Sequence, residues 1–120
     1  MERFEQLKER IDQFTKDRNW EQFHTPVNLA KSISIEAAEL LECFQWSNEE
    51  FDKEHLLEEL ADVMNYCIQL SLVLDVDIID CINKKIDKNA IKYPVEKAYG
   101  KSNKYDKLEK GNRDIKNNVF

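Results

Sequence analysis

Phe4, Leu7, Ile11 and Phe14 recur at intervals of three and four between charged neighbours. A single apolar stripe of this kind predicts an amphipathic helix over roughly residues 2–18. The stripe stops near Asn19, and Trp20-Glu21-Gln22-Phe23-His24 follows as a connector dense in aromatic rings. Thr25-Pro26 restarts helix. A threonine can cap the first turn, and proline at the first helical position lacks only an N–H that would have no intrahelical partner. This second helix is expected to run to about Gln45, where Trp46-Ser47-Asn48 breaks it and an acidic stretch leads into a third, about 54–74. There Leu57, Leu60, Ala61, Met64, Cys67 and Ile68 make one face, and Leu56, Val63, Leu70 and Leu74 another. A helix apolar nearly all round is expected to be buried all round. Asp77 reads as the cap of a fourth helix, with Asp80 three residues on, and Tyr93-Pro94 ends it after about Lys92.

Past Gly100 the chain turns polar, lysine-rich and aperiodic. One domain over residues 1–106 and a mobile polar tail over 107–120 are therefore expected, with Lys104-Tyr105 the part of this region that is held down. The pattern holds no internal repeat beyond a loose echo between two acid pairs. Its fold class is all-α, a four-helix bundle-type subunit. Four helices in 120 residues cannot readily surround the third one, so completion by oligomerisation, as a dimer or tetramer, is expected.

Composition sharpens this. Two glycines and two prolines are too few for the turns of an all-β fold. A net charge of −6 and a pI near 5.0 exclude a basic face for a nucleic-acid polymer, but not a nucleotide that arrives with its own magnesium. Cys43, Cys67 and Cys81 are odd in number, sit in apolar helical contexts and form no C-x-x-C. They read as small core residues in a reducing cytoplasm. The opening residues do not read as a secretion signal, and the apolar run 68–74 is too short for a bilayer, so no membrane association is expected.

The candidate chemistry lies in Glu36-Ala37-Ala38-Glu39 and Glu59-Leu60-Ala61-Asp62. Residues three apart share a helix face, so each pair aims two carboxylates in one direction, in otherwise apolar surroundings. Buried carboxylates need their charge compensated. If the second and third helices pack antiparallel, the four acids converge, and four oxygen donors suit a hard cation such as magnesium. The competing reading is a solvated acidic face. His55, Glu59, Asp62 and Tyr66 form one stripe, but no Glu-x-x-His brings an imidazole into either acid pair, which disfavours a di-iron site. His55 reads as a surface residue. The Trp20–His24 connector either closes over the core or touches a ligand. Lys85, Asn89 and Tyr93, spaced by four, are either a solvated face or a grip on phosphate and ribose. No glycine-rich phosphate loop and no Ser/His/Asp or Cys/His set appears.

Taken in order, Arg18 to Leu29, Glu36-x-x-Glu39 running into Phe44-Gln45-Trp46, Glu58-Glu59-Leu60-Ala61-Asp62-Val63 with Tyr66, Lys85-x-x-x-Asn89-x-x-x-Tyr93-Pro94-Val95 and Gly100 to Tyr105 form a set. Over about residues 3 to 108 it resembles the MazG-like all-α nucleoside triphosphate pyrophosphohydrolases, in particular their small dCTP pyrophosphatase branch. The resemblance implies that Glu36, Glu39, Glu59 and Asp62 are catalytic and hold magnesium, with manganese as a substitute. It implies that Trp20, Phe23, His24, Trp46 and Tyr66 form the base and sugar pocket, and that Lys85, Asn89 and Tyr93 serve the phosphate side. The chain departs from the animal enzymes at Ile11, where they carry a histidine nine residues before the loop tryptophan.

The expected activity is magnesium-dependent hydrolysis of a nucleoside triphosphate, dCTP or a modified deoxynucleotide, to the monophosphate and pyrophosphate, in nucleotide housecleaning. The alternatives are a non-catalytic helical interaction module, whose acids decorate a dimer surface, and a nucleotide-binding sensor without turnover. Metal acids, aromatic loop and Lys/Asn pair together favour the enzyme.

Overall fold

The computed structural model describes residues 2–102, so the tail expected over 107–120 and the Lys104-Tyr105 contact lie outside the described residues. Every regular element in it is helical: α1 (Arg3–Asp17), a single 3-10 turn (Glu21–Phe23), α2 (Pro26–Glu42), α3 (Lys53–Val73), α4 (Ile78–Lys92) and a short α5 (Val95–Ala98). The four long helices stand where the hydrophobic pattern puts them. Only α5, one turn after Pro94, was not anticipated, being too short to show a period. The chain divides into two compact units, one up to Asp77 and one from Ile78.

The helix ends of the first unit follow from local chemistry. Glu2 caps α1, its carboxylate accepting from the N–H groups of Phe4 at 2.8 Å and Glu5 at 3.4 Å. Thr25 Oγ1 accepts from the Asn28 N–H at 3.2 Å, with Pro26 in the first turn of α2. Asp52 caps α3 through Glu54 and His55. These side chains satisfy donors that the first turn of a helix leaves unpaired.

The C-terminal ends of α1 and α3 close alike. Asn19 and Asp75 both take φ 54, the left-handed region. At α1, the Asn19 N–H donates to Lys16 O and the Trp20 N–H reaches back to Thr15 O, both at 3.0 Å. At α3, Asp75 donates to Leu72 O and Val76 to Ser71 O, each at 3.1 Å. This is the Schellman pairing, with asparagine and aspartate where glycine is usual.

Between α2 and α3 the chain doubles back. Ser47 Oγ accepts from the N–H groups of Glu49 and Glu50, and Phe44 packs on Phe51 with ring centroids 4.9 Å apart. From there the pairing is antiparallel: Glu39 meets Glu59, and Leu29 and Ser32 share a recess with Tyr66. Helix α1 packs against the C-terminal half of α3. The buried apolar residues are Ile11, Leu29 and Ile68, with Thr15, Gln69 and Ser71 beside them. Thr15 and Ser71 stay satisfied by donating to the carbonyls of Asp12 and Ile68.

That core is thin, and two expectations need correction. Helix α3 is not buried all round: Leu57, Leu60, Met64, Val73 and Leu74 are exposed. The stripe left open runs through Leu57, Leu60 and Met64, whereas Leu56, Val63 and Leu70 are half-buried on the side turned toward the rest of the unit. Helical rotation explains this, because the face that carries Glu59 to α2 also carries Val63 and Leu70 inward. The cysteines are not uniformly core residues either, since Cys43 and Cys67 are half-buried but Cys81 is exposed.

The left-handed residue at the end of α1 makes a specific demand. Asn19→Val is expected to lose about 1–2 kcal/mol, because a β-branched side chain resists that conformation, while Asn19→Gly holds stability. Thermal melting of the two variants beside the parent checks this, and equal melting temperatures would refute it.

Candidate active site

Helix pairing brings the two acid motifs together as their spacing anticipates. One carboxylate oxygen each from Glu36, Glu59 and Asp62 lies within 4.8 Å of the others. Glu39 stands beside them, its carboxyl within hydrogen-bonding reach of both Glu36 and Glu59. Glu36, Glu39 and Glu59 are half-buried and Asp62 is exposed, so the cluster opens on one side to solvent.

Such crowding resists ionisation. The Glu36 carboxyl is pushed up to about 7, first by its hydrogen bond with Glu39, then by burial and by the neighbouring negative charges. Burial raises Glu59 as well, helped by Glu39 and opposed by His55, whose Nε2 lies 3.7 Å from Glu59 Oε1. His55 is otherwise exposed, in line with its reading as a surface residue. Cys43, whose Sγ points at Glu39 O over 3.8 Å, also has its thiol pushed up by burial and by Glu59, so it stays protonated and unreactive.

Glu36 Oε2 and Glu59 Oε2 are buried and have no hydrogen-bond partner among the described residues. A carboxylate oxygen in that condition is costly unless a cation meets it. The donors are all carboxylate oxygens, with no imidazole or thiolate in the set. Orphaned oxygens and hard donors together fit a divalent cation of the magnesium type.

A second feature adjoins the acids. Trp20, Phe23 and His24 from the connector, Asn28 and Ser32 from α2 and Tyr66 from α3 surround a recess of about 300 Å³ above Leu29. Tyr66 joins the two, because its hydroxyl is held above its usual range by burial and by the charges of Glu36, Asp62 and Glu39. The connector therefore lines an open space beside carboxylates, and does not simply seal the core.

Trp20 is firmly placed there. Its N–H ends the α1 cap, and its ring meets Phe14 edge-on with centroids 5.9 Å apart at 71°. Arg18 lies 3.6 Å over the Phe14 ring and donates from Nη1 to Phe14 O at 3.0 Å, completing a stack behind the tryptophan. Asn28 Nδ2 donates to Phe23 O at 3.0 Å, tying the connector to α2. Sequence reading placed Phe14 only in the α1 stripe, gave Arg18 and Asn28 no role beyond the matching stretch, and passed over Ser32. A signal was available for Arg18, four residues after Phe14 on one helix face.

Among the remaining predicted residues of the first unit, Trp46 does not join this group. Trp46 stands in the turn after α2, 90% exposed, and is not among the residues lining the recess. Lys85 and Asn89 are exposed on α4, and Tyr93 follows that helix half-buried, its N–H donating to Asn89 O at 2.8 Å. All three belong to the second unit.

With acids and recess in place, comparison with known proteins is informative. Residues 31–108 match the MazG-like family. The chain belongs to that family. Over 108 residues it is 35% identical to the mouse and human proteins named dCTP pyrophosphatase 1, a match covering 82% of this chain and 64% of each relative. The chain thus spans somewhat less than two thirds of those relatives. A crystal structure described as a pyrophosphatase from Archaeoglobus fulgidus superposes with a TM-score of 0.74 at 39% identity, covering 78% of this chain and 94% of that one. The all-helical fold is therefore the MazG-like fold.

The acid cluster carries a pH signature. A carboxyl whose folded pKa lies above its unfolded value binds its proton more tightly in the fold, so its contribution to stability declines as pH rises through that interval. For Glu36 that window runs from the ordinary glutamate value of 4.5 to about 7. The metal-free protein is expected to melt at a lower temperature at pH 8 than at pH 5.5. Glu36→Gln is expected to melt above the parent at pH 8, and magnesium to erase most of that difference. A parent whose metal-free melting temperature rises between those pH values would contradict the crowding described here.

Proposed function

We propose that this chain hydrolyses a nucleoside triphosphate to the monophosphate and pyrophosphate. The observation that carries the reading is the oxygen-only acid cluster of Glu36, Glu59 and Asp62, with Glu39 beside it, adjoining an aromatic recess at Tyr66. The names of the mouse and human relatives make dCTP, or a modified deoxynucleotide, the proposed substrate.

Unaided hydrolysis is slow because an anionic phosphate repels an anionic nucleophile. In this reading Glu36, Glu39, Glu59 and Asp62 hold magnesium, or manganese in its place. Bound there, the cation would offset phosphate charge and lower the pKa of a water. Glu36 or Glu39 accepts the proton of the water that attacks the α-phosphate, and the pyrophosphate departs. The base stacks on Trp20, which its Phe14 and Arg18 backing holds ready, with Phe23, His24 and Tyr66 around it. On the family resemblance, Trp46 is a further base contact, and Lys85, Asn89 and Tyr93 serve the phosphate side. No helix of the described residues is long and apolar enough to cross a membrane. The proposed setting is the cytoplasm, where nucleotide substrates are found.

The protein is proposed to work as a homo-oligomer. Leu7 and Phe14 of α1 with Ala61, Met64 and Ile68 of α3 border an apolar groove of about 390 Å³, and Leu57 and Leu60 add exposed apolar side chains on α3. Exposed apolar surface of this extent is what a two-fold mate would cover.

Two outcomes test these statements. Incubation with a panel of deoxynucleoside triphosphates, with and without magnesium, is expected to give monophosphate and pyrophosphate only with the cation. Glu39→Gln and Asp62→Asn are expected to lower turnover by about 10²-fold or more while leaving helicity intact. Near-parental rates in either variant would remove that residue from the reaction, and no hydrolysis of any triphosphate would leave an interaction module or a sensor as the better description. For assembly, light scattering is expected to report a multiple of 14.3 kDa, and Leu57→Lys with Met64→Lys to reduce it. A stable, active species at the mass of one chain would end the oligomer proposal.

A further inference from the structure

A second recess of about 310 Å³ shares His24 with the first. Ile11, Asp12 and Thr15 of α1, Glu21 and His24 of the connector, and Gln69 of α3 take part in its walls. His24 lines both recesses, and Gln69 sits one helical turn beyond Tyr66, so the two spaces are neighbours along α3.

The polar groups around the second recess are mostly acceptors. Gln69 is only 8% exposed, and its Nε2 gives one of its two N–H groups to Asn65 Oδ1 at 3.1 Å. Its Oε1 is left buried with no hydrogen-bond partner among the described residues. Thr15 gives its proton to Asp12 O at 2.9 Å, which leaves the hydroxyl lone pairs to offer. Asp12 and Glu21 add carboxylates, and Lys16 meets Asp12 at 2.8 Å from outside the lining. Among these groups the donors still to give are the His24 ring and the second N–H of the Gln69 amide. A buried amide oxygen left unpaired is unfavourable, and a glutamine's terminal torsion is broad enough for that oxygen to turn toward an incoming donor.

We infer that this second recess receives the outer edge of the nucleobase and that Gln69 reads it, selecting bases that present an amino group over those with a carbonyl at the same place. The inference rests on the reading that the Trp20–Tyr66 recess holds the base. An amino edge supplies the donor that Gln69 Oε1 lacks. A carbonyl edge sets its lone pairs against those of Gln69 Oε1 and leaves that buried oxygen unpaired, which is how a polar site disfavours the wrong ligand. Asn65 is the positioning residue, since it takes one Gln69 N–H and leaves the oxygen unpartnered.

The test compares 2′-deoxycytidine and 2′-deoxyuridine triphosphates, which differ at the amino or carbonyl position and the adjoining ring proton. With magnesium, the full-length parent is expected to favour the amino base in kcat/KM by about tenfold or more. Gln69→Met, similar in size but without hydrogen-bonding groups, is expected to shrink that ratio to about threefold or less, with the mass in solution unchanged. Gln69→Glu, which keeps an acceptor, is expected to preserve it. A parental ratio near one, or an unchanged ratio in Gln69→Met, overturns the inference, as does a Gln69→Met whose only defect is a lower mass in solution. Should that variant not fold, the parental ratio and Gln69→Glu still decide. The hydrolase reading fails separately: affinities of the same two nucleotides, read by tryptophan fluorescence, would then keep the amino preference without any pyrophosphate formed. Absence of binding by either nucleotide overturns both.

Discussion

Carboxylates held within 4.8 Å of one another repel, and the first unit is built to hold them there. Within the cluster, the hydrogen bond between Glu36 and Glu39 eases that repulsion only while Glu36 keeps its proton. Glu36 responds by keeping its proton up to about 7, and Glu36 and Glu59 each bury an oxygen that no described group satisfies. The restoring forces lie elsewhere: the Phe44–Phe51 contact and the Ser47 hydrogen bonds that turn the chain, and the buried Leu29 and Ile68 toward the other end of the pair. A site of this kind stores repulsion that a bound cation would relieve, so that on the proposed reading cation binding and stabilisation of the fold would be one event.

The aromatic end depends on a different device. Trp20 is held by the backbone, because the reversed hydrogen bonds that finish α1 at Asn19 fix the position from which its ring projects. Phe14 and Arg18 then set the ring's orientation from behind. A side chain fixed in this way loses little further freedom when a base stacks on it, so more of the stacking energy appears as affinity. The helix cap and the proposed base contact are thus successive links in one short stretch.

How much of this was legible in the sequence varies with the range of the interaction. Helix positions were readable because amphipathic period, Thr25-Pro26 and the Asp77 boundary are local signals. The acid pairs were readable too: i,i+3 spacing fixes a face, and a short connector makes antiparallel pairing the simple outcome. The face of α3 left open was misjudged, since Val63 and Leu57 are equally apolar and only the rotation imposed by Glu59 meeting α2 tells them apart. Gln69 gave no signal. A glutamine among apolar residues looks like an ordinary surface position until packing shows it buried beside Ile11 and Thr15. Trp46 shows the converse, since a large ring reads as a pocket or core residue and yet stands almost wholly in the open.

Helix α3 connects these observations, because three demands fall on one cylinder. One face turns Glu59, Asp62 and Tyr66 toward α2 and the site. A second lays Ile68 and Gln69 against α1. The third carries Leu57, Leu60 and Met64, all of them exposed. A helix repeats its faces every three to four residues, so strengthening one face cannot avoid constraining the others. Enlarging the α1 contact to thicken the core would carry α1 toward the N-terminal half of α3, across the open stripe that a second copy is proposed to occupy. The thin core of Ile11, Leu29 and Ile68 is therefore consistent with a subunit that leaves part of its burial to assembly. On that reading the repulsive acids are held less by the single chain than by the bundle that two or more copies complete.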